Sequence, residues 1–471
     1  MIEQESLHTA EDKPVETTTS KGPSEAKASP PSDLFSGPRG LAVKVLNRVE
    51  QSDSWLDRLV DANIRREGLD RRDAGLLNEI CYGVTRQKRR LDWVLNGFYH
   101  GEYQRALPIV KNAMRVALYQ ILFLDRIPTS AAVNESVTIV RRLKGKRAAG
   151  LVNAVLRNIV RRIDSITWPK HDDSPAHYFS VMGSHPEWMV GRWIERFGSE
   201  ETRQLLSANN ERPPVVLNAG FERSGPDALR KSLTGAGIEL EDSPLHSHYL
   251  RATKFPAIAE DPDFLAGNFT VQDDGAGLAV ALTAVAPGMS VIDLCAAPGG
   301  KTVAMAEMLK NSGNLVAIDR YPVKAEALQR TIERTGHDKI VSIVCDDATT
   351  VTLEQADVVL LDAPCSGLGV LRRKPEIKWK RSVDDLLKFS AIQQELIEAA
   401  ARLVRIGGHL VYTTCSIEPE ENEQVVAAFL AANPAFVREA ATDVLPNSAV
   451  EAGVVTTEGY LQTYSHRHGS D

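Results

Sequence analysis

From Gly288 onward, short β-branched apolar runs alternate with segments of helical period, and few folds satisfy that alternation. The runs are Ser290 to Leu294, Asn314 to Ile318, Ile340 to Val344, Ala356 to Leu361 and His409 to Thr413. Helical segments such as Val323 to Arg334 and Leu386 to Val404 fall between them. The expectation is a parallel sheet covered by helices on both faces. Ligands in such sheets bind beyond the carboxyl ends of the strands. The loops that follow each strand therefore carry the search for function.

The chain's 471 residues exceed what one compact core holds, so several domains are expected. Residues 1–38 are rich in Thr, Ser, Pro, Glu and Lys with almost no large apolar residues, which predicts a disordered tail. Residues 39–165 have helical period throughout. Leu41, Val45, Leu46 and Val49 form one apolar stripe; Val116, Leu118, Tyr119, Leu122 and Leu124 belong to another helix; Val152, Val155, Leu156 and Ile159 to a third. Thr129-Ser130, after Pro128, offers an N-cap. Residues 166–285 read as a small mixed α/β subdomain, with a helix over His185 to Phe197, a strand over Pro214 to Asn218 and a helix over Asp227 to Gly235. Residues 286–471 make the doubly wound domain.

The net charge of −7 hides an asymmetry. Between Arg39 and Ser165 there are 24 Lys and Arg against 13 Asp and Glu, so a basic module sits on an otherwise acidic chain. That points to a polyanionic partner, hence nucleic acid. Clusters at Arg65-Arg66, Arg86 to Arg90 and Lys144 to Arg147 fall between or at the ends of helices, where they reach phosphates. No apolar run approaches the ~20 residues that span a bilayer, and no apolar segment of signal-peptide type opens the chain. A cytoplasmic protein without membrane contact is expected. The five cysteines, at 81, 295, 345, 365 and 415, show no C-x-x-C spacing. Neither a metal site nor a disulfide framework is expected.

The first loop of interest is Asp293-Leu-Cys-Ala-Ala-Pro-Gly-Gly-Lys-Thr302. Gly299 and Gly300 let the backbone approach a ligand, and the helix that follows offers free N–H groups. A P-loop needs glycine at 295, where Cys295 stands, and no G-x-G-x-x-G is present. Asp319, closing the second strand, suits two ribose hydroxyls or a helix cap equally. Asp346-Asp347 follows the third strand: Asp347 suits a cap, leaving Asp346 for an adenine amino group. Asp362-Ala-Pro-Cys365 and Thr413-Thr-Cys-Ser416 each place one cysteine just past a strand end. A lone cysteine is usually a small buried hydrophobe; two at neighbouring strand ends beside a glycine-rich loop suggest chemistry. Cys295 and Cys345 are taken as packing residues.

These motifs resemble the RNA cytosine-C5 methyltransferases of the Nop/Sun type. Asp293 to Thr302, Asp362 to Cys365, Thr414 to Ser416, Arg372-Arg-Lys-Pro-Glu-Ile-Lys-Trp379 and Pro419-Glu-Glu-Asn-Glu423 carry the resemblance. The helical segment, with Ala149-Gly-Leu-Val-Asn-Ala-Val-Leu-Arg157, looks like the NusB-type RNA-binding module. That pairing is typical of the Sun/RsmB branch, which acts on 16S ribosomal RNA of the small subunit. One departure is visible: after Val271-Gln-Asp273 the family usually has a serine where this chain has Gly275. The resemblance implies that Cys295, Ala296, Ala297, Pro298, Gly299, Gly300, Lys301, Asp319, Asp346 and Asp362 contact S-adenosylmethionine. It also implies that Cys415 is the nucleophile and Cys365 the accessory cysteine, in a chain expected to act as a monomer.

The chemistry fits those residue types. C5 of cytosine is a poor nucleophile until a thiolate adds at C6 and turns C4–C5 into an enamine. A free thiol of pKa ~8.5 is mostly protonated at neutral pH, so the site must lower that pKa or deprotonate the thiol on demand. Asp362, holding a proton, would donate to the ring N3. Arg372, Arg373, Lys374, Lys378, Lys380 and Arg381 are expected at flanking phosphates, with Trp379 either stacking on RNA or packing in the core. The residues themselves leave open which cysteine attacks, since DNA cytosine methyltransferases use the Pro-Cys position, here Cys365. They equally leave open a binding module with an inactive methyltransferase core.

Overall fold

The computed structural model describes residues 35–220, 225–255 and 257–471. Most of the expected tail lies outside the described residues.

Six helices build the first domain: α1 (Gly37–Gln51), α2 (Leu56–Glu67), α3 (Arg71–Arg86), α4 (Lys88–Phe98), α5 (Pro108–Phe123) and α6 (Thr129–Arg161). The three apolar stripes meet in one core that includes Leu41, Val45, Leu77, Leu118, Val152 and Leu156. Local chemistry sets the ends. Asp70 caps α3 by accepting from the Asp73 N–H, and Gly68 closes α2 in the left-handed region. At α6 no side chain caps the helix; Pro128 itself precedes the first turn, so the Thr129-Ser130 cap does not form. Gly145 breaks α6 at φ 82°, which leaves Lys144, Lys146 and Arg147 exposed at the break.

The middle region starts with α7 (Pro175–Met182) and α8 (Glu187–Asn210), which Gly198 breaks at φ 77°, so its first part ends at Phe197 as expected and a second helical stretch follows. Then come β1 (Val215–Asn218), α9 (Gly225–Gly235), β2 (Leu240–Asp242), β3 (Tyr249–Ala252), α10 (Pro262–Leu265) and β4 (Thr270–Val271). The strands form an antiparallel sheet in the order β2-β3-β1-β4. Its inner face packs Leu217, Leu250 and Phe269 against Leu229 and Leu233 of α9.

Next, α11 (Asp274–Ala281) leads into β5 (Ser290–Leu294), α12 (Gly300–Met308), β6 (Asn314–Ile318), α13 (Pro322–Thr335), β7 (Val341–Val344) and β8 (Ala356–Asp362). After α14 (Ile377–Lys380) and α15 (Val383–Arg402) comes β9 (Val404–Thr413), followed by α16 (Glu423–Ala432), α17 (Asn447–Glu451) and α18 (Ser465–His468). The sheet is wholly parallel in the order β7-β6-β5-β8-β9. Order reverses at β5, so the crevice at the carboxyl ends of β5 and β8 is where such a sheet receives ligands. Separate apolar layers cover the two faces, one around Val303 and Leu328, the other around Leu396 and Phe429. No helix among the described residues is long and apolar enough to cross a membrane.

Gly275 now has a physical reason. A Cβ there would lie 2.7 Å from Ser470 Oγ and 2.9 Å from the Asp471 carbonyl oxygen. Ser470 Oγ accepts from the Gly275 N–H at 2.9 Å and donates to Asp273 Oδ1. The hydroxyl absent at position 275 is thus present beside it, on Ser470. Gly275→Ser should lower stability by about 1–3 kcal/mol in chemical denaturation, through overpacking. Adding Ser470→Gly should recover part of the loss; a neutral Gly275→Ser would show that this contact does not hold the glycine in place.

Candidate active site

Strand β5 delivers the glycine-rich turn. Cys295 leaves the strand at φ 63° and Gly299 follows at φ 106°. A Cβ on Gly299 would meet Leu328 Cδ1 at 2.6 Å, so only glycine lets α12 start this close to α13. The Ala296 N–H donates to the Ile318 carbonyl at 2.8 Å, tying the turn to the end of β6. Below it Asp293 is fully buried; it accepts from Thr302 Oγ1 at 2.6 Å, and its Oδ1 has no partner. Burial, reinforced by Asp362, pushes its pKa up to about 7. Burial also pushes the Cys295 thiol up to about 12, which suits a packing role.

Along the same edge, Asp319 is buried and accepts from the Tyr321 N–H at 3.1 Å, while Lys324 lies 3.8 Å from its second oxygen. Asp347 does the capping after β7, accepting from Thr349 N–H and Oγ1 at 2.9 and 2.7 Å. Asp346 stays exposed and accepts from the Asp347 N–H at 2.7 Å. Asp346 therefore keeps an exposed carboxylate on this edge, while both oxygens of Asp319 are engaged locally.

The two cysteine loops are brought together by strand register. Asp362 of β8 stands opposite Thr413 of β9, and Cys365 and Cys415 follow three and two residues later. Their sulfurs lie 3.1 Å apart without a disulfide. The Ala363 N–H donates to the Thr413 carbonyl and the Gly369 N–H to the Cys415 carbonyl, each at 2.9 Å. Lys301 Nζ donates to Asp362 Oδ2 at 2.8 Å, and Thr413 Oγ1 to Asp362 Oδ1 at 3.0 Å. Burial works against the Lys301 ammonium, but Asp362 outweighs it and raises the pKa.

The sulfurs are electrostatically unequal. The hydrogen bond from Cys365 lowers the Cys415 pKa below the ordinary thiol value; the protein surround and Asp362 oppose this, and Lys301 assists it. The same hydrogen bond, with burial, raises Cys365 well above the ordinary value. Cys415 is exposed as a residue and Cys365 half-buried. Sequence reasoning missed the acceptor beneath both loops. Glu421 is fully buried and takes hydrogen bonds from Ser366 and Ser416; its one signal is membership of the Pro419–Glu423 motif.

The segment expected at RNA phosphates does something else. Arg372 donates to Asp471 and the Gly469 carbonyl, Arg373 pairs with Asp273 and Asp471, and Lys374 with Asp57. Lys378 is buried and donates to the carbonyls of Arg86 and Ser184 and to Asn210 Oδ1. Lys380 donates to the carbonyls of Ser52 and Ser54, and Arg381 to that of Ser366. Trp379 Nε1 donates to the Thr85 carbonyl at 2.7 Å, so it packs against α3. Lys374, Lys378, Trp379 and Lys380 thus clamp the helical domain, and Arg373 and Lys378 the middle region, onto the sheet domain by satisfying acceptors there, while Arg372 and Arg381 brace the sheet domain itself. A cavity of about 490 Å³ lies at this junction, away from the sulfurs, lined among others by Glu50, Lys88, Arg115, Glu376 and Trp379. Of the basic clusters, Arg86 and Arg89 are likewise engaged, with the Arg372 carbonyl and with Glu187.

Comparison with known proteins covers the same three regions. Residues 280–471 match the family model of the 16S rRNA methyltransferase RsmB/F, 36–161 the NusB family, and 185–258 the ferredoxin-like domain of RsmF/B-like methyltransferases. The probable ribosomal RNA small subunit methyltransferase B of Bacillus subtilis (strain 168) is 31% identical over 440 residues, 92% of this chain and 96% of that protein. The ribosomal RNA small subunit methyltransferase B of Erwinia tasmaniensis is 34% identical over 400 residues, 83% and 89% of the two chains. The crystal structure of PH0851 superposes with a TM-score of 0.75 over 92% of this chain and 96% of that one, at 24% identity, and so shares the fold.

Asp293 sets a pH dependence. Its folded pKa is raised above the unfolded value, so folding retains a proton that the unfolded chain releases. The stability cost should grow as pH rises from about 4 to about 7 and level off above that. Asp293→Asn should remove this slope. In denaturation at a series of pH values, the variant's advantage over the parent grows across that window; a constant difference would contradict it.

Proposed function

We propose that this chain, which belongs to the ribosomal RNA small subunit methyltransferase B family, methylates C5 of a cytosine in small-subunit ribosomal RNA through a covalent Cys415 adduct. The observation that carries the reading is the 3.1 Å contact between a depressed-pKa thiol and a raised-pKa thiol, beside the Lys301–Asp362 pair.

Cys415 releases its proton to solvent and adds as the thiolate at C6 of the ring, forming the S–C6 bond. Cys365, holding its proton and donating to the neighbouring sulfur, stabilises that thiolate and marks itself as the partner that acts later. Lys301 and Asp362 form the polar wall of the site; a proton passed between them to the ring N3 balances the charge that addition creates. S-adenosylmethionine supplies the electrophilic methyl group. The turn from Cys295 through Ala296, Ala297, Pro298, Gly299 and Gly300 to Lys301 gives it close backbone approach and the first N–H groups of α12. Asp319 takes ribose hydroxyls, and Asp346 an adenine amino group. The exposed Asp346 carboxylate and the first turn of α12, which no side chain caps, fit such a group. After transfer a base removes the C5 proton, and Cys365 assists expulsion of Cys415.

The target base must leave its stack to reach these sulfurs. Phosphates are held by the helical domain, where Lys144, Lys146 and Arg147 stand exposed at the α6 break. Lys374, Lys378, Trp379 and Lys380 fix the orientation of that domain and are engaged by protein groups.

Two tests follow. Cys415→Ala should reduce methyl transfer by roughly three orders of magnitude or more and eliminate covalent protein–RNA species. Cys365→Ala should instead accumulate a protein–RNA adduct that survives denaturing electrophoresis; the reverse pattern would exchange the roles. Replacing Lys144, Lys146 and Arg147 together with alanine should weaken RNA binding and reduce the log–log salt slope by about 2–3. An unchanged slope would move the phosphate contacts elsewhere.

A further inference from the structure

We propose that Glu421 is the positioning residue of the cysteine pair, its buried carboxylate joining the Pro364–Ser366 loop to the Thr414–Ser416 loop so that the two sulfurs stay in contact. This rests on the reading of Cys415 and Cys365 given above.

Four donors converge on this carboxylate. Ser366 N–H and Gln393 Nε2 donate to Oε2 at 2.7 and 3.1 Å. Ser416 Oγ donates to Oε1 at 2.7 Å, and Ser366 Oγ donates to the same oxygen. The two serine oxygens stand 3.1 Å apart, and each serine follows one of the cysteines directly. One oxygen thus receives a bond from both loops, while the other holds the first loop and α15. Gln393 also donates to the Pro364 carbonyl at 3.0 Å, which closes the ring of bonds around the Cys365 loop.

The residue's own backbone is fixed as well. Tyr412 OH donates to the Glu421 carbonyl at 2.6 Å, and Asn422 bridges Thr414 Oγ1 with the carbonyls of Ser416 and Glu418. Among the described residues no Lys, Arg or His pairs with the Glu421 carboxylate. A buried carboxylate held only by neutral donors is costly unless every donor is in place. The bonds therefore lock or fail together, which is what a geometric clamp requires. Its charge also lies under Cys365 and helps keep the proton on that sulfur.

Glu421→Gln keeps the shape but turns one acceptor into a donor facing donors. Single-turnover methyl transfer should fall on the order of 100-fold, the scale expected when reacting groups shift by about 1 Å. The KM for RNA should change less than about threefold, because no RNA contact is lost. Mass-spectrometric mapping of iodoacetamide alkylation at pH 7 should show Cys415 reacting well ahead of Cys365 in the parent and much less preference in the variant. Ser416→Ala, which removes one donor and keeps the carboxylate, should fall between parent and Glu421→Gln on both readouts. It serves as the test if Glu421→Gln does not fold. A folded Glu421→Gln protein, or a Ser416→Ala protein, with parental transfer rate and alkylation preference would overturn the inference. The two failures are separable. If Cys415→Ala is inactive while these variants behave as the parent, only the clamp is wrong; if Cys415→Ala still transfers methyl, the underlying reading is wrong.

Discussion

Parallel pairing of β8 with β9 puts Asp362 opposite Thr413, and every functional feature of the site is measured from that register. A slip of one residue would turn the side chains of β9 to the other face of the sheet. Two cysteines separated by fifty residues of sequence would then never meet. Short loops after each strand allow little slack, and Gly369 lets the first loop pass so close to the Cys415 carbonyl that a Cβ there would lie 2.7 Å from its oxygen. The sulfur contact is thus a product of backbone geometry, tightened by side chains beneath it.

The same geometry makes chemically identical thiols behave differently. One donates and the other accepts; Lys301 supports the Cys415 thiolate against Asp362 and Glu421, and Glu421 also helps keep the proton on Cys365. Two sulfurs that differ only in their neighbours can take separate parts in one catalytic cycle. The helical module enters this account through orientation. Its attachment uses buried Lys378, together with Lys380 and the ring nitrogen of Trp379, which fixes where an RNA held on that module meets the sulfur edge.

Much of this was legible in the sequence. The strands of the parallel sheet are continuous apolar runs, so β5 and β6 fall on the residues their periodicity predicts. Strand β9 begins five residues before the expected His409, because Val404 pairs with Ala356 and an irregularity through the charged and glycine residues 405–408 then brings His409 opposite Val358. The glycine turn and both cysteine loops were visible because glycine, proline and cysteine mark special backbone or special chemistry. The Arg372–Arg381 run misled because charge alone does not tell a phosphate ligand from a residue that satisfies buried carbonyls. Those carbonyls belong to residues up to 328 positions away. Glu421 and Ser470 were hidden for the same reason: their partners are distant in sequence, and a carboxylate or hydroxyl carries no local mark of burial.

The central claim is that the Cys415 sulfur forms the bond to the target base. The most direct test traps that bond. The full-length protein is incubated with S-adenosylmethionine and substrate RNA carrying 5-fluorocytosine, whose fluorine prevents the final elimination, and the adduct is mapped by peptide mass spectrometry. The account predicts that the modified nucleotide is found on the peptide containing Cys415. A nucleotide on Cys365, or no adduct with an RNA that is otherwise methylated, would contradict it.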